Sequence, residues 1–136
     1  MRPATRPIPT AVPALVLLAE DDPELRALIA RALRRDGYDV VPVPDGAELL
    51  RALDALRAHG REVDLIVSDL RMPGMTGLEA IRRLRAGGAR ARIVMVTAFP
   101  DERTITEARD AGVAHVIAKP FDLDDLRTVA MHVLAA

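Results

Sequence analysis

Four groups of polar residues, widely separated along the chain, each follow directly on a short apolar run: Glu20-Asp21-Asp22, Ser68-Asp69, Thr97 and Lys119-Pro120. Carboxylates gathered in one crevice repel one another, and a cation relieves that repulsion. Carboxylate oxygens with water positions left open suit magnesium, which keeps several waters and commonly takes one or two carboxylates together with phosphate oxygens. Asp69 is then available as a nucleophile, since a carboxylate can attack a phosphoryl group to give an aspartyl phosphate. Lys119 supplies a point positive charge, and the Thr97 hydroxyl can hydrogen-bond a phosphoryl oxygen.

The elements that would carry these groups are read from hydrophobic periodicity. Aliphatic runs at Ala14–Ala19, Tyr38–Val43, Val63–Ser68, Arg92–Thr97 and Ala114–Ala118 predict strands. Helical stripes lie between them. Leu25, Leu28, Ile29, Ala32 and Leu33 follow Asp22 as N-cap and Pro23 at the first helical position, and Gly37 ends that helix. Leu49, Leu50, Leu53 and Leu56 mark a second helix after Asp45. Leu78, Ile81 and Leu84 mark a third, with Thr76 and Glu79 spaced as a capping box and Gly87-Gly88 at its end. A fourth, about Asp101 to Ala111, has a thin apolar face of Ile105, Ala108 and Ala111 and is expected to dock least firmly. The last carries Leu123, Leu126, Val129, Ala130 and Val133, with Asp122, Asp124 and Asp125 where negative charge complements the helix dipole.

Strands alternating with helices imply right-handed crossovers and a parallel sheet covered on both faces, with ligands at the carboxyl ends of the strands. All four polar groups fall on that rim. Residues 1–13 hold prolines at positions 3, 7, 9 and 13 and show no period, so they are read as a disordered arm, and 14–136 as one domain.

Composition narrows the function classes. Half of the 136 residues are hydrophobic but only three are aromatic, so the core must be aliphatic. A net charge of -1 offers no general attraction for nucleic acid or an anionic membrane, and neither partner is expected. The absence of cysteine excludes disulfides and thiolate chemistry. Arg2, Arg6 and the apolar stretch from Ala11 to Ala19 superficially suggest a secretory leader, but Pro13 interrupts it and cleavage would remove the first strand. Arg82, Arg83 and Arg85 lie off the apolar stripe of the third helix and read as a solvated face. His115 and His132 lack partners at metal-ligand spacing, and His59, at a helix end, is expected to face water.

The segments Leu17 to Pro23, Leu65 to Gly77, Val94 to Ala98 and Lys119-Pro120-Phe121, in this order, closely resemble the response regulator receiver domains of two-component signalling, from about Ala14 to the end. That resemblance implies a flavodoxin-like, doubly wound (βα)5 sandwich with a five-stranded parallel sheet of order 2-1-3-4-5. It implies that Asp69 is the phosphoacceptor, that Asp21 binds magnesium directly and Glu20 mainly through water, and that the backbone carbonyl of Arg71 completes the protein ligands. Thr97 and Lys119 would hold the phosphoryl oxygens, and the bond before Pro120 would be cis. The implied partners are a sensor histidine kinase or histidine phosphotransfer protein and a downstream protein, met in the cytoplasm. The implied output face combines the fourth helix, fifth strand and fifth helix, with a monomer or weak homodimer through it.

Two departures from the family pattern stand out. Val116 occupies a position three before the lysine where relatives often carry Tyr or Phe, so coupling from Thr97 would be weaker or run through other packing such as Phe99. Arg71 and Phe99 stand where side chains border the path of the attacking water, which points to an unusual dephosphorylation rate of undetermined direction. Two other readings compete. A receiver serving only as a constitutive scaffold is motivated by Val116. A haloacid-dehalogenase-like phosphatase would need a second Asp two residues after the nucleophile, where this chain has Arg71. No turnover of an external metabolite is expected.

Overall fold

The computed structural model of the protein describes residues 12–135; the arm predicted for residues 1–13 falls almost wholly outside them. Five strands, β1 (Leu15–Ala19), β2 (Asp39–Val43), β3 (Leu65–Asp69), β4 (Arg92–Thr97) and β5 (His115–Ala118), alternate with α1 (Pro23–Arg35), α2 (Gly46–Ala58), α3 (Gly77–Ala86), α4 (Glu102–Asp110) and α5 (Leu123–Ala135). The sheet is parallel with order β2-β1-β3-β4-β5.

The period of two along a strand divides the core into two layers. Leu15, Leu17, Ile66, Ile93 and Met95 face α2, α3 and the buried Ala108 of α4. Val16, Leu18, Leu65, Val67 and Val94 face Ile29 and Leu33 of α1 and Leu126 and Ala130 of α5. The chain thus winds in opposite directions from the centre of the sheet, and the switch falls between β1 and β3. There the crossovers diverge and leave a crevice above the strand ends.

The helix starts follow the capping residues. Asp22 Oδ1 accepts the N–H groups of Glu24 and Leu25, Asp45 that of Glu48, Thr76 that of Glu79 and Asp101 that of Thr104. The predicted capping box at α3 is only half made. Thr76 caps, but the Glu79 carboxylate receives Arg83 one turn on, at 3.0 Å. Gly37, past the end of α1, has φ 95°, the left-handed conformation a helix stop commonly needs.

Three expectations require correction. Leu28 does not join the apolar stripe of α1. It is 45% exposed, because the helix is rotated to bury Ile29, Ala30 and Leu33. The third strand begins at Leu65 rather than Val63 and extends to Asp69. Arg85 is half-buried rather than solvated, and its guanidinium donates to the carbonyls of Ala89 and Gly112, tying the end of α3 to the turn after α4.

The outer edge of β2 is closed to strand addition. Pro42 has no N–H to offer, and the Val40 carbonyl is occupied by Arg34 at 2.9 Å. Among the described residues no helix is long and apolar enough to cross a membrane.

Candidate functional site

Beyond β1 the ladder continues for one residue, with the Glu20 N–H donating to Val43 O at 3.1 Å. Arg26, one turn into α1, donates to the Glu20 carbonyl at 2.8 Å. With its backbone held at both ends, Glu20 turns its carboxylate into the crevice and is only 1% exposed. Its Oε2 accepts the Asp22 N–H at 3.0 Å and its Oε1 accepts the Lys119 ammonium at 3.0 Å.

Asp69 ends β3, buried to 6% exposure. Two backbone bonds fix the turn that follows it: Leu70 N–H to Val96 O at 2.9 Å, and Gly77 N–H to Leu70 O at 2.7 Å. Asp69 Oδ1 accepts the Arg71 N–H at 3.1 Å, and Oδ2 accepts Lys119 Nζ at 2.6 Å. Gly77 is required by contact. A Cβ there would lie 2.2 Å from the Asp69 carbonyl oxygen.

Thr97, fully buried at the end of β4, accepts the Phe99 N–H on Oγ1 at 3.0 Å, while its carbonyl receives the Lys119 N–H at 2.7 Å. The bond from Lys119 to Pro120 is cis, as expected. Lys119 therefore leaves β5 beside Thr97 and reaches across to the two carboxylates. Val116 is half-buried against the α2–α3–α4 side of the core.

Electrostatics follow from this packing. Burial pushes the Glu20 carboxyl up, and the negative charge of Asp69 adds to the push; the Asp22 N–H and Lys119 oppose it. Burial works against the Lys119 ammonium, but its hydrogen bonds to Asp69 and Glu20 outweigh that and hold its pKa above the usual lysine value. One ammonium between two carboxylates leaves the pocket short of positive charge.

The structure brings together every residue predicted for the site. Glu20, Asp69 and Lys119 touch directly, and Asp21 joins through the acidic cluster. Thr97 joins through the Lys119 backbone, and Arg71 through the turn whose N–H bonds Asp69. One oxygen each from Glu20, Asp21 and Asp69 lies within 4.8 Å of the others, with Asp21 on the solvent side. An all-oxygen donor set with an open outer side fits a cation that retains waters, magnesium above all. Asp22 is spent on the helix cap.

Sequence reasoning missed three features, two residues and one contact. Gly77 presses on the Asp69 backbone, and its signal was available: a glycine directly after a Thr cap, in a first turn that any residue could otherwise fill. Arg26 holds the Glu20 carbonyl, a link across six residues with no periodic signature. The third is the pairing of Arg71 and Phe99. The Arg71 guanidinium lies over the Phe99 ring, 4.4 Å from its centroid, and so joins the loop after β3 to the loop after β4 at the mouth of the pocket.

Residues 16–131 match the family model of the response regulator receiver domain. The transcriptional regulatory protein PdtaR of Mycobacterium tuberculosis is 38% identical over 117 residues, covering 85% of this chain and 54% of the relative. The sporulation initiation phosphotransferase F of Bacillus subtilis is 30% identical over 112 residues, covering 82% of this chain and 86% of that protein. The chemotaxis protein CheY4 of Vibrio cholerae superposes with a TM-score of 0.81 at 28% identity, over 90% of this chain and 99% of CheY4. The chain spans about half the length of PdtaR and less of TcrA, a further Mycobacterium tuberculosis relative of which it covers 42%. The family match begins inside β1, ends inside α5 and takes in the whole rim between them, and on that ground the chain belongs to the response regulator receiver domain family.

Proposed function

We propose that this receiver is a phosphorylation-controlled switch, loaded on Asp69 from a phosphohistidine of a sensor histidine kinase or histidine phosphotransfer protein. A carboxylate oxygen of Asp69 forms the new bond to phosphorus while the bond from phosphorus to the imidazole nitrogen breaks, its electron pair leaving with the imidazole. The Lys119 ammonium, already beside Asp69, turns to a phosphoryl oxygen, and the Thr97 hydroxyl donates to another. Asp21, Asp69 and the Arg71 carbonyl would hold a magnesium ion directly and Glu20 through water, where it would neutralise charge on the phosphoryl oxygens. The chain is consumed stoichiometrically and is not an enzyme acting on an external substrate. Its place of action is the cytoplasm, where such donors present their phosphohistidine.

Output on this reading runs through the backbone after β4. Thr97 Oγ1 accepts the Phe99 N–H, the Phe99 carbonyl accepts the Asp101 N–H at 3.0 Å, and Asp101 Oδ1 caps α4 through Thr104 at 2.8 Å. Recruiting the Thr97 hydroxyl to a phosphoryl oxygen therefore disturbs a chain of bonds ending at the helix that buries only Ala108. With Val116 in place of an aromatic ring, this route carries the signal to the α4–β5–α5 face, which engages a protein target or pairs weakly with a second copy.

The observation that carries the reading is the Lys119 ammonium bridging Asp69 and Glu20 from three different strand ends. Incubation with acetyl phosphate and magnesium followed by intact-mass measurement tests it. The wild type gains one phosphoryl group and Asp69→Asn gains none. An unmodified wild type would instead make the chain a constitutive scaffold.

A further inference from the structure

Helix α1 carries one acid, Glu24, against four arginines, in a chain whose net charge is only -1. The four are not scattered. Arg26 and Arg34 flank Ala30 in one i, i+4 row, and Arg31 and Arg35 follow Ala27 in the adjacent row. The small residues leave a floor between cationic walls, and the result is an open groove of about 590 Å³ running along α1 to Pro42 of β2. Two walls are fixed in place: Arg26 donates to the Glu20 carbonyl and Arg34 to the Val40 carbonyl, each with N–H groups to spare. Among the described residues, none of the four forms an ion pair with a carboxylate. At the lower end of the helix Asp36 is already taken by Arg127.

We propose that this groove docks an acidic segment of a partner protein, its Asp or Glu carboxylates paired with Arg26, Arg31, Arg34 and Arg35. Guanidinium groups suit this, since each offers a planar fork that matches a carboxylate, and groups held in advance lose less freedom on binding. Strand addition is not the mode, because Pro42 and the occupied Val40 carbonyl close the β2 edge; side chains do the recognising. A protein segment fits better than a nucleic acid for two reasons. The groove ends at Pro23, whose sequence neighbours Asp21, Asp22 and Glu24 are exposed acids that repel a uniformly charged polymer but leave room for a peptide whose acids lie only over the arginines. Among the described residues that line it, the groove also holds no aromatic ring on which a base could stack. The inference is independent of phosphorylation of Asp69.

Fluorescence anisotropy of the full chain tests it with three labelled probes: a short glutamate-rich peptide, its glutamine counterpart and a single-stranded oligonucleotide. The glutamate peptide should bind most tightly, with affinity falling as salt rises. The double variant R31E/R35E should bind it roughly tenfold or more weakly, and R31Q and R35Q should give graded losses. Thermal melting establishes that each variant is folded, and the milder glutamine pair decides the matter should the charge reversal unfold the chain. Equal binding of the glutamine peptide, undiminished binding by folded variants, or tighter binding of the oligonucleotide would each overturn the proposal.

Discussion

A methyl group at Gly77 would meet the carbonyl oxygen of Asp69 at 2.2 Å, far inside van der Waals contact, and the obstacle is backbone rather than a movable side chain. Gly77→Ala must therefore push the β3 end that carries Asp69 and α3 apart. A loss of about 1–3 kcal/mol, the usual range for overpacking, is expected in urea unfolding, together with slower labelling by acetyl phosphate. Labelling at the wild-type rate with unchanged stability would contradict the contact. Arg71 and Phe99 act at the same mouth by a different means. Phe99 is 54% exposed, so the ring is held by its cation rather than by burial. An exposed cation–π pair is worth about 0.5–1 kcal/mol, or roughly a two- to fivefold change in a rate it controls. Arg71→Ala and Phe99→Ala should each shorten the phosphoryl lifetime by that factor, and the double variant should do no more than either alone. A lifetime unchanged in both would show that the pair does not shield the aspartyl phosphate from water.

Strands and helices were legible in the sequence to different degrees, for physical reasons. β1, β3 and β4 are buried on both faces and their apolar stretches read as aliphatic runs; β5, at the sheet edge, is short and half-exposed, and its run from Ala114 to Ala118 is weaker because it includes the polar His115. Helix starts were legible because a cap acts locally; helix rotation was not, which is why Leu28 was misassigned. The four polar rim signals were legible because each ends a strand. The contacts made by Arg26, Arg71 and Arg85 were not, since a long flexible side chain leaves no periodic trace of where it reaches. The half-made capping box of α3 yields a discriminating test. Thr76→Ala should cost about 1 kcal/mol, the usual value of an N-cap. Glu79→Ala should cost only what an exposed Glu–Arg pair contributes, about 0.3–0.5 kcal/mol. Equal losses in denaturant titrations would mean that the reciprocal bond forms in solution.

Across the whole molecule the two ends of the chain's fold are joined by a side-chain fork. Arg127 of α5 donates to both oxygens of Asp36 at the end of α1, at 2.9 and 2.8 Å, and to Asp124 on its own helix at 2.8 Å. The hydrogen bonds from Arg127 hold the Asp36 carboxyl below the usual carboxylate range. A lowered folded pKa means stability that is present above the unfolded value, near 3.9, and lost as pH falls through the folded one. Asp36→Asn should therefore melt a few degrees below wild type at neutral pH, with the difference vanishing in strong acid. A gap that persists there would mean that shape, not charge, holds α1 to α5. The sheet borders carry a consequence of another kind. The border formed by β2 is blocked, while the one formed by β5 has no neighbouring strand among the described residues. Two copies can meet border to border only at β5, and each then presents its blocked border outward, so such growth stops at a pair and no fibre can propagate.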